Sequence, residues 1–409
     1  MRLTFVISHL GCGGAQRVMS ILANAWATKG WRITLLTLDN GEERPFYDLH
    51  PAVMYRPLIL SRTSPTSMHA IFNNLKRLWV LRQAIKQSSP HVVISFMDMP
   101  NVLTILATLG LSLPVIISER NDPVHRRIGK AWERLRRWVY PHCTRLVAQT
   151  SSALSYFSAK VQQRAQVIPN PVLLPSKRTP KHACNRSTKT VVALGRLREQ
   201  KGFDLLLGAF ARVAPKHPEW SLVIWGEGPL RPQLERVRDE RGLQGRASFP
   251  GLTRQPFENL QQADLFVLSS RCEGFPNALC EAMACGLPVI SFDCASGPRE
   301  IITDGVDGVL VPPEDEQALA AAIDRLLADG EERKRLAAYA QGVVQRFALP
   351  RVMGMWEALI KEVTGIAAGP GEVGTDDGTT HHEQQELERT LRRSAGGRDL
   401  PEESKIESL

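Results

Sequence analysis

The stretch Leu265-Phe266-Val267-Leu268-Ser269-Ser270-Arg271-Cys272-Glu273-Gly274-Phe275-Pro276-Asn277-Ala278-Leu279-Cys280-Glu281 decides the fold of this chain. Four apolar residues in a row read as a strand buried on both faces, the loop contains Gly and Pro, and a helical run then continues to Gly286. Such a strand-loop-helix unit belongs to a parallel sheet, and ligands gather where its strands end. Asn277 is placed to cap the helix, which would leave the amides of Ala278 and Leu279 for a phosphate. Glu281, in the first turns of that helix, can accept hydrogen bonds from a sugar diol, and Glu273 stands in the loop before it.

The same unit occurs upstream. Val191–Leu194 runs into Gly195-Arg196-Leu197-Arg198-Glu199-Gln200-Lys201-Gly202, which puts two cations five positions apart at a strand's carboxyl end. Arg forks two phosphate oxygens and Lys acts as a mobile point charge, although a solvated loop would have the same composition. Further strands are expected at 222–225, 247–249 and 289–292, and helices from Glu316 to about Phe347 and from Arg351 to Val363. In the N-terminal half short β-rich runs at 3–8, 32–38, 92–96 and 115–118 alternate with helical stretches such as Val18 to Thr28. The pattern restarts after a Pro-rich, polar interval, Ile168 to Thr190.

The expected architecture is therefore α/β, with two Rossmann-like, doubly wound domains facing across a cleft. We divide the chain into residues 1–172, an N-terminal domain facing acceptor and membrane, and 173–347, a nucleotide-sugar-binding domain. Residues 348–364 are then a helix packing back on the first domain, and 365–409 a polar, Gly-rich tail read as disordered.

Composition narrows the classes. With 409 residues, 43% hydrophobic and 23% charged, the chain can bury two ordinary cores. Its seven Cys form no Cys-x-x-Cys pair and have no His at ligand spacing, which supports neither a disulfide framework nor a zinc site and points to a reducing compartment. Met1 to Ser8 reads as a first strand and not as an export signal. Val102 to Ile117, interrupted by Gly110 and Pro114, is too short to span a bilayer. The net charge of +9 is uneven: residues 1–172 hold 21 basic and 8 acidic side chains, residues 173–363 hold 25 and 24, and the tail 5 and 10. An anionic partner is expected at the N-terminal half.

The loop Gly11-Cys12-Gly13-Gly14-Ala15-Gln16-Arg17 follows the first strand and opens a helix, so its amides can approach an anion without a Cβ in the way. A tight turn that needs glycine explains it equally well, and the spacing departs from that of dinucleotide folds. Together with Ile168-Pro169-Asn170-Pro171, Gly195-Arg196-Leu197, Trp225-Gly226-Glu227-Gly228-Pro229-Leu230 and the Glu273 to Glu281 stretch, it makes residues 1–363 resemble glycosyltransferase family four, retaining enzymes of GT-B fold. The resemblance implies that Arg196 and Lys201 bind the donor diphosphate, Glu273 the donor sugar and Glu281 the ribose hydroxyls. Gly13 and Gly14 would close the site from the other domain by a hinge motion. It also implies retention of configuration by front-face attack, with no protein nucleophile.

One position departs from the family. Many members carry a His where Ser118-Glu119-Arg120-Asn121-Asp122 places Arg120, which is no base at neutral pH but can orient the donor sugar or bind acceptor phosphate. No Asp-x-Asp motif ends a strand, and Asp376 and Asp377 fall in the tail, so neither a metal nor another cofactor is expected. The leaving diphosphate would be stabilised by Arg196, Lys201 and helix-terminal amides.

Two stretches are basic and amphipathic. In His125 to Tyr140, Trp132, Leu135 and Val139 share a face, with Arg127, Lys130, Arg134 and Arg137 on another; Leu75 to Lys86 sets Leu78, Trp79, Arg82 and Ile85 beside Lys76, Arg77 and Lys86. Helices of this kind lie on anionic membranes, and they also suit a surface helix whose apolar stripe faces a core. Membrane contact accords with a lipid-diphosphate acceptor, and the resemblance extends to bacterial N-acetylgalactosaminyl transferases acting on undecaprenyl-diphosphate oligosaccharides and to exopolysaccharide enzymes. The expected activity is transfer of N-acetylgalactosamine in α-1,4 linkage from a UDP-sugar, in the cytoplasm on the inner face of the inner membrane. The alternatives are a transferase of another UDP-hexose, or a UDP-N-acetylglucosamine 2-epimerase, against which the glutamate pair speaks. Nucleic acid is not expected, because no reader motif accompanies the charge.

Overall fold

The computed structural model describes residues 1–60, 67–124, 128–174 and 189–366. The tail from residue 367, most of the linker (175–188) and the segment 125–127, with Arg127, lie outside the described residues.

The β-rich runs build two separate parallel sheets. The first holds β1 (Arg2–Ile7), β2 (Arg32–Thr37), β3 (Val53–Pro57), β4 (Val92–Phe96), β5 (Val115–Ser118), β6 (Arg145–Ala148) and β7 (Ala165–Val167) in the order β3-β2-β1-β4-β5-β6-β7. The second holds β8 (Lys189–Leu194), β9 (Trp220–Trp225), β10 (Ala247–Gly251), β11 (Leu265–Leu268), β12 (Val289–Phe292) and β13 (Val309–Val311) in the order β10-β9-β8-β11-β12-β13. Strand order reverses between β1 and β4 in one sheet and between β8 and β11 in the other. Those two points open the crevices in which α/β sheets bind ligands.

Alternating side chains send each sheet's residues to two opposite cores. In the first lobe Leu3, Phe5, Ile7, Ile94 and Phe96 pack against the helix Gly14–Thr28 and the last helix, Leu349–Thr364. Trp356 of that last helix is fully buried, 6.1 Å from Phe96 between ring centroids. Val6, Leu36 and Val93, with Val115, Ile117 and Leu146, face the other way toward the helices Ser67–Ser88, Asp98–Thr108 and Lys130–Val139. In the second lobe Val191, Ala193, Leu222 and Ile224 meet the helices Phe203–Val213 and Glu316–Ala328, while Val192, Phe266 and Leu268 meet the helix Asn277–Ala284. The two passages of the chain between the lobes run side by side: the Val172 amide donates to the Phe347 carbonyl at 2.8 Å.

Among the described residues no helix is long and apolar enough to cross a membrane.

Candidate active site

Both switch points carry the loops singled out in the sequence, and the loops face each other. After β8 the chain turns through Gly195 to Lys201 and enters the helix Phe203–Val213 at Gly202. Gly202 has φ +59°, and a β-carbon there would overlap the Ser269 carbonyl at the end of β11. Only glycine lets this loop rest on the neighbouring strand. That contact brings the Lys201 Nζ to 2.5 Å from Glu273 Oε1, which also accepts a 2.6 Å hydrogen bond from the Ser270 hydroxyl. Glu273 is buried, and the cation and the hydroxyl meet its carboxylate there.

Glu281, one helix further, is also buried, and the structure gives it a partner that the sequence did not announce. Arg17, in the first turns of the helix Gly14–Thr28, crosses from the first lobe and donates to Glu281 Oε1. Its guanidinium also lies 5.5 Å from the centroid of the Phe257 ring. Burial raises the Glu281 carboxyl above the usual carboxylate range, and Arg17 opposes that rise. Gly13 and Gly14 close the same seam: a β-carbon at Gly13 would lie 3.1 Å from Arg196 Nη2, and one at Gly14 3.1 Å from Asn277 Nδ2. Arg196, Lys201, Glu273, Asn277 and Glu281 of the second lobe thus converge with Gly13 and Gly14 of the first.

Two readings of the helix start need correction. Asn277 does not cap it; the capping position is Pro276, without a side-chain hydrogen bond, and Asn277 is the first helical residue. Its Oδ1 instead accepts from Asn170 Nδ2 at 2.6 Å, a contact between linker and second lobe. The Leu279 amide is not available for a phosphate either, since it donates to the Pro276 carbonyl at 3.0 Å; the amides of Asn277 and Ala278 stand at the helix end.

Arg120 is not on an open wall of the cleft, where a donor sugar or acceptor phosphate would meet it freely. It is 6% exposed, with its guanidinium 3.7 Å from the Phe96 centroid and 5.7 Å from that of Trp356. Nη1 donates to Asn170 Oδ1 at 2.6 Å, an atom that also accepts from Gln149 Nε2 at 2.7 Å. Nε and Nη2 have no partner among the described residues. Asn170 therefore joins Arg120, Gln149 and Asn277 beside the passage between lobes, and nothing but its place in Ile168-Pro169-Asn170-Pro171 hinted at this in the sequence. Gly274 completes the seam, because a β-carbon there would lie 2.8 Å from the Arg120 carbonyl oxygen. The neighbouring Glu119 turns into the first lobe's core, accepting from the Tyr140 hydroxyl, and burial raises it to about 7.

Of the two readings open for the basic stretches, the structure bears out the apolar stripe that faces a core. Trp132, Leu135 and Val139 face the core, as do Leu78 and Ile85, and Arg82 donates to the Ala107 and Leu109 carbonyls at the end of the neighbouring helix. What stands outward is a second set: Leu75, Trp79 and Trp138 are at least 60% exposed, among the exposed cations Lys76, Lys86, Lys130, Arg134 and Arg137. Among the described residues no group of three or more His, Cys, Asp or Glu is gathered as for a metal ion.

Residues 13–171 match the family model described as glycosyl transferase 4-like domain, and residues 177–343 the one described as glycosyl transferases group 1. A Campylobacter jejuni protein, GalNAc-α-(1→4)-GalNAc-α-(1→3)-diNAcBac-PP-undecaprenol α-1,4-N-acetyl-D-galactosaminyltransferase, is 32% identical over 364 residues, which cover 89% of this chain and 99% of that one. Among solved structures, sucrose-phosphate synthase from Thermosynechococcus elongatus superposes with a TM-score of 0.77 at 18% identity, covering 89% of this chain and 99% of that one. Anabaena HepE, in complex with UDP and glucose, gives a TM-score of 0.72 at 19% identity, covering 88% and 99%. Two doubly wound lobes, two matching family models and a relative aligned over nearly its whole length leave one conclusion: the chain belongs to glycosyltransferase family four and is a glycosyltransferase of GT-B fold.

Proposed function

We propose that this glycosyltransferase moves N-acetylgalactosamine, in α-1,4 linkage and with retention, from a UDP-sugar to a lipid-diphosphate-linked oligosaccharide. The observation that carries the reading is the convergence of Arg196, Lys201, Glu273 and Glu281 at the second lobe's switch point, closed by Gly13 and Gly14. The choice of sugar and acceptor rests on the Campylobacter relative, whose name specifies both.

In this reading Glu281 accepts the ribose hydroxyls, and the amides at the Asn277 helix end face the diphosphate. Arg196 and Lys201 stabilise the charge that develops on the leaving diphosphate without a metal ion. Lys201 serves two groups, since its ammonium also pairs with Glu273. Arrival of the diphosphate draws the ammonium toward phosphate and releases Glu273 Oε1 to accept from the donor sugar. The acceptor hydroxyl attacks from the face the diphosphate leaves, so configuration is kept. Arg120, packed under this seam, fixes Asn170 and through it Asn277, and so acts on the donor sugar indirectly.

The lipid acceptor makes a membrane-facing surface useful. Leu75, Trp79 and Trp138, set among exposed Lys and Arg on the lobe with 21 basic and 8 acidic residues, suit the cytoplasmic leaflet of a bacterial inner membrane. The test is a screen of UDP-sugars with a lipid-diphosphate glycan acceptor, read by mass spectrometry. Transfer of a single N-acetylhexosamine from the N-acetylgalactosamine donor is expected, and preference for another donor would move the enzyme to a different glycan.

A further inference from the structure

Arg17 ends the glycine loop after β1 and, among the described residues, is the first-lobe residue that forms an ion pair with the glutamate proposed for the ribose. The pairing spans 264 positions of sequence and joins the two lobes. Arg17 is mostly shielded, with a side-chain exposure of 18%, and Glu281 more so, at 7%. Arg17 also lines the small pocket between the two lobes that holds Asn277, Cys280 and Glu281, together with Val18, Ile21 and the linker residues Pro171 to Leu173.

We propose that Arg17 is a positioning residue of the donor site: from the first lobe it holds Glu281 charged and oriented, so that recognition of the nucleoside depends on contact between the lobes. The inference rests on the reading of Glu281 as the ribose acceptor. A carboxylate has room for more than one donor, and Arg17 engages Oε1, leaving the group's remaining lone pairs for hydroxyls. A guanidinium in place keeps the side chain ionised in a buried setting where a lone carboxylate would take up a proton. The other titratable groups facing Glu281 cannot substitute. Tyr47, from the loop after β2, is pushed well up by burial, as are Cys280 and Cys285 of Glu281's own helix, so all three stay neutral near pH 7. Among the described residues Arg17 is the cation that opposes the effect of burial on Glu281.

The sign of the pH effect follows. Without Arg17 the Glu281 carboxyl rises further, its ionised fraction falls at neutral pH, and it falls more as the pH is lowered. Titration calorimetry of UDP against Arg17→Gln, Arg17→Lys, Glu281→Gln and the double variant, between pH 6 and 8, reads this directly. Arg17→Gln is expected to bind UDP about tenfold more weakly than the parent at pH 7.5, with a deficit that grows toward pH 6. Arg17→Lys should restore most of the affinity and a flat ratio to the parent. In the double variant, Arg17→Gln should add nothing to the loss from Glu281→Gln, because the arginine acts through the glutamate.

The possible failures are distinct. Parental affinity in Arg17→Gln at every pH, with Glu281→Gln still weak, overturns the positioning role and leaves the ribose reading standing. Parental affinity in Glu281→Gln overturns the ribose reading itself. Additive losses in the double variant show that Arg17 touches the nucleotide, and a pH-independent loss not rescued by Lys shows that it serves only packing; each contradicts the proposal. If Arg17→Gln does not fold, the parental enzyme, Arg17→Lys and Glu281→Gln decide the case, since a Lys variant lacking UDP affinity at every pH also contradicts it.

Discussion

The two lobes share one plan, a parallel sheet that reverses strand order at its centre, but their charges are managed in opposite ways. In the second lobe basic and acidic residues nearly balance, 25 against 24 over residues 173–363, and charges find partners close by: Lys201 with Glu273 in the site, and Arg271 with Asp204 at 2.7 Å. In the first, 21 basic residues face 8 acidic ones, and Trp79 and Trp138 stand in solvent among cations. In the reading proposed above, one sheet holds a small anion in a defined geometry and the other lies against an extended negative surface. Arg17 is the exception that joins them, a first-lobe cation used inside the second lobe's site.

If this division holds, substitutions in the second lobe strike the donor whatever the acceptor. Replacing Lys201 or Arg196 by Ala should lower turnover about a hundredfold or more, with activity unchanged by EDTA; full activity in either variant, or a loss to EDTA that Mg²⁺ restores, would break the comparison at its strongest point. The first lobe should respond differently. Neutralising Lys130, Arg134 and Arg137 removes about 1 kcal/mol of membrane attraction each, so vesicle binding should fall roughly a hundredfold while transfer to a short, water-soluble acceptor persists. Co-sedimentation with anionic vesicles and parallel assays on both acceptors read this, and equal loss on both would assign these cations to the fold or the site.

Glu281→Ala removes a charged acceptor worth about 1.5 to 3 kcal/mol, so UDP affinity should fall roughly ten- to a hundredfold, as calorimetry would show. The smallest effect is expected at the seam. Gly274→Ala places a β-carbon 2.8 Å from the Arg120 carbonyl, which backbone cannot yield easily, and overpacking of this kind commonly costs about 1 to 3 kcal/mol. Because the strain arises only where the lobes meet, turnover should drop while UDP binding to the second lobe changes little. A drop in thermal stability with normal turnover would place the strain inside the second lobe instead.

Much of this was legible in the sequence where the physics is local. The runs at 92–96, 115–118, 265–268 and 289–292 are continuous β-rich segments, and they became strands with those bounds. The strands not named from the sequence include the interior β6, which opens on Arg145, and short or edge strands: β3 alternates exposed and buried residues and ends in Pro57, while β7 and β13 have three residues each. For the site, Gly13, Gly14, Arg196, Lys201, Glu273 and Glu281 were expected from loops at strand ends and from the family resemblance, and the structure brings them together. Asn277 was misassigned because its partner Asn170 lies 107 positions away, and Arg17 was passed over because Glu281 lies 264 positions away. For the basic helices the sequence left two readings open, and packing shows that the stripe of Trp132, Leu135 and Val139 faces the core while Trp138 is exposed.

The central claim is retaining transfer from a UDP-sugar to a lipid-diphosphate-linked glycan. It is tested most directly by incubating the EDTA-treated enzyme with UDP-N-acetylgalactosamine and such an acceptor and determining the product linkage by nuclear magnetic resonance. The account predicts a single new α-1,4-linked N-acetylgalactosamine, formed without added metal. A β-linked product, or no transfer until a divalent cation is supplied, would contradict it.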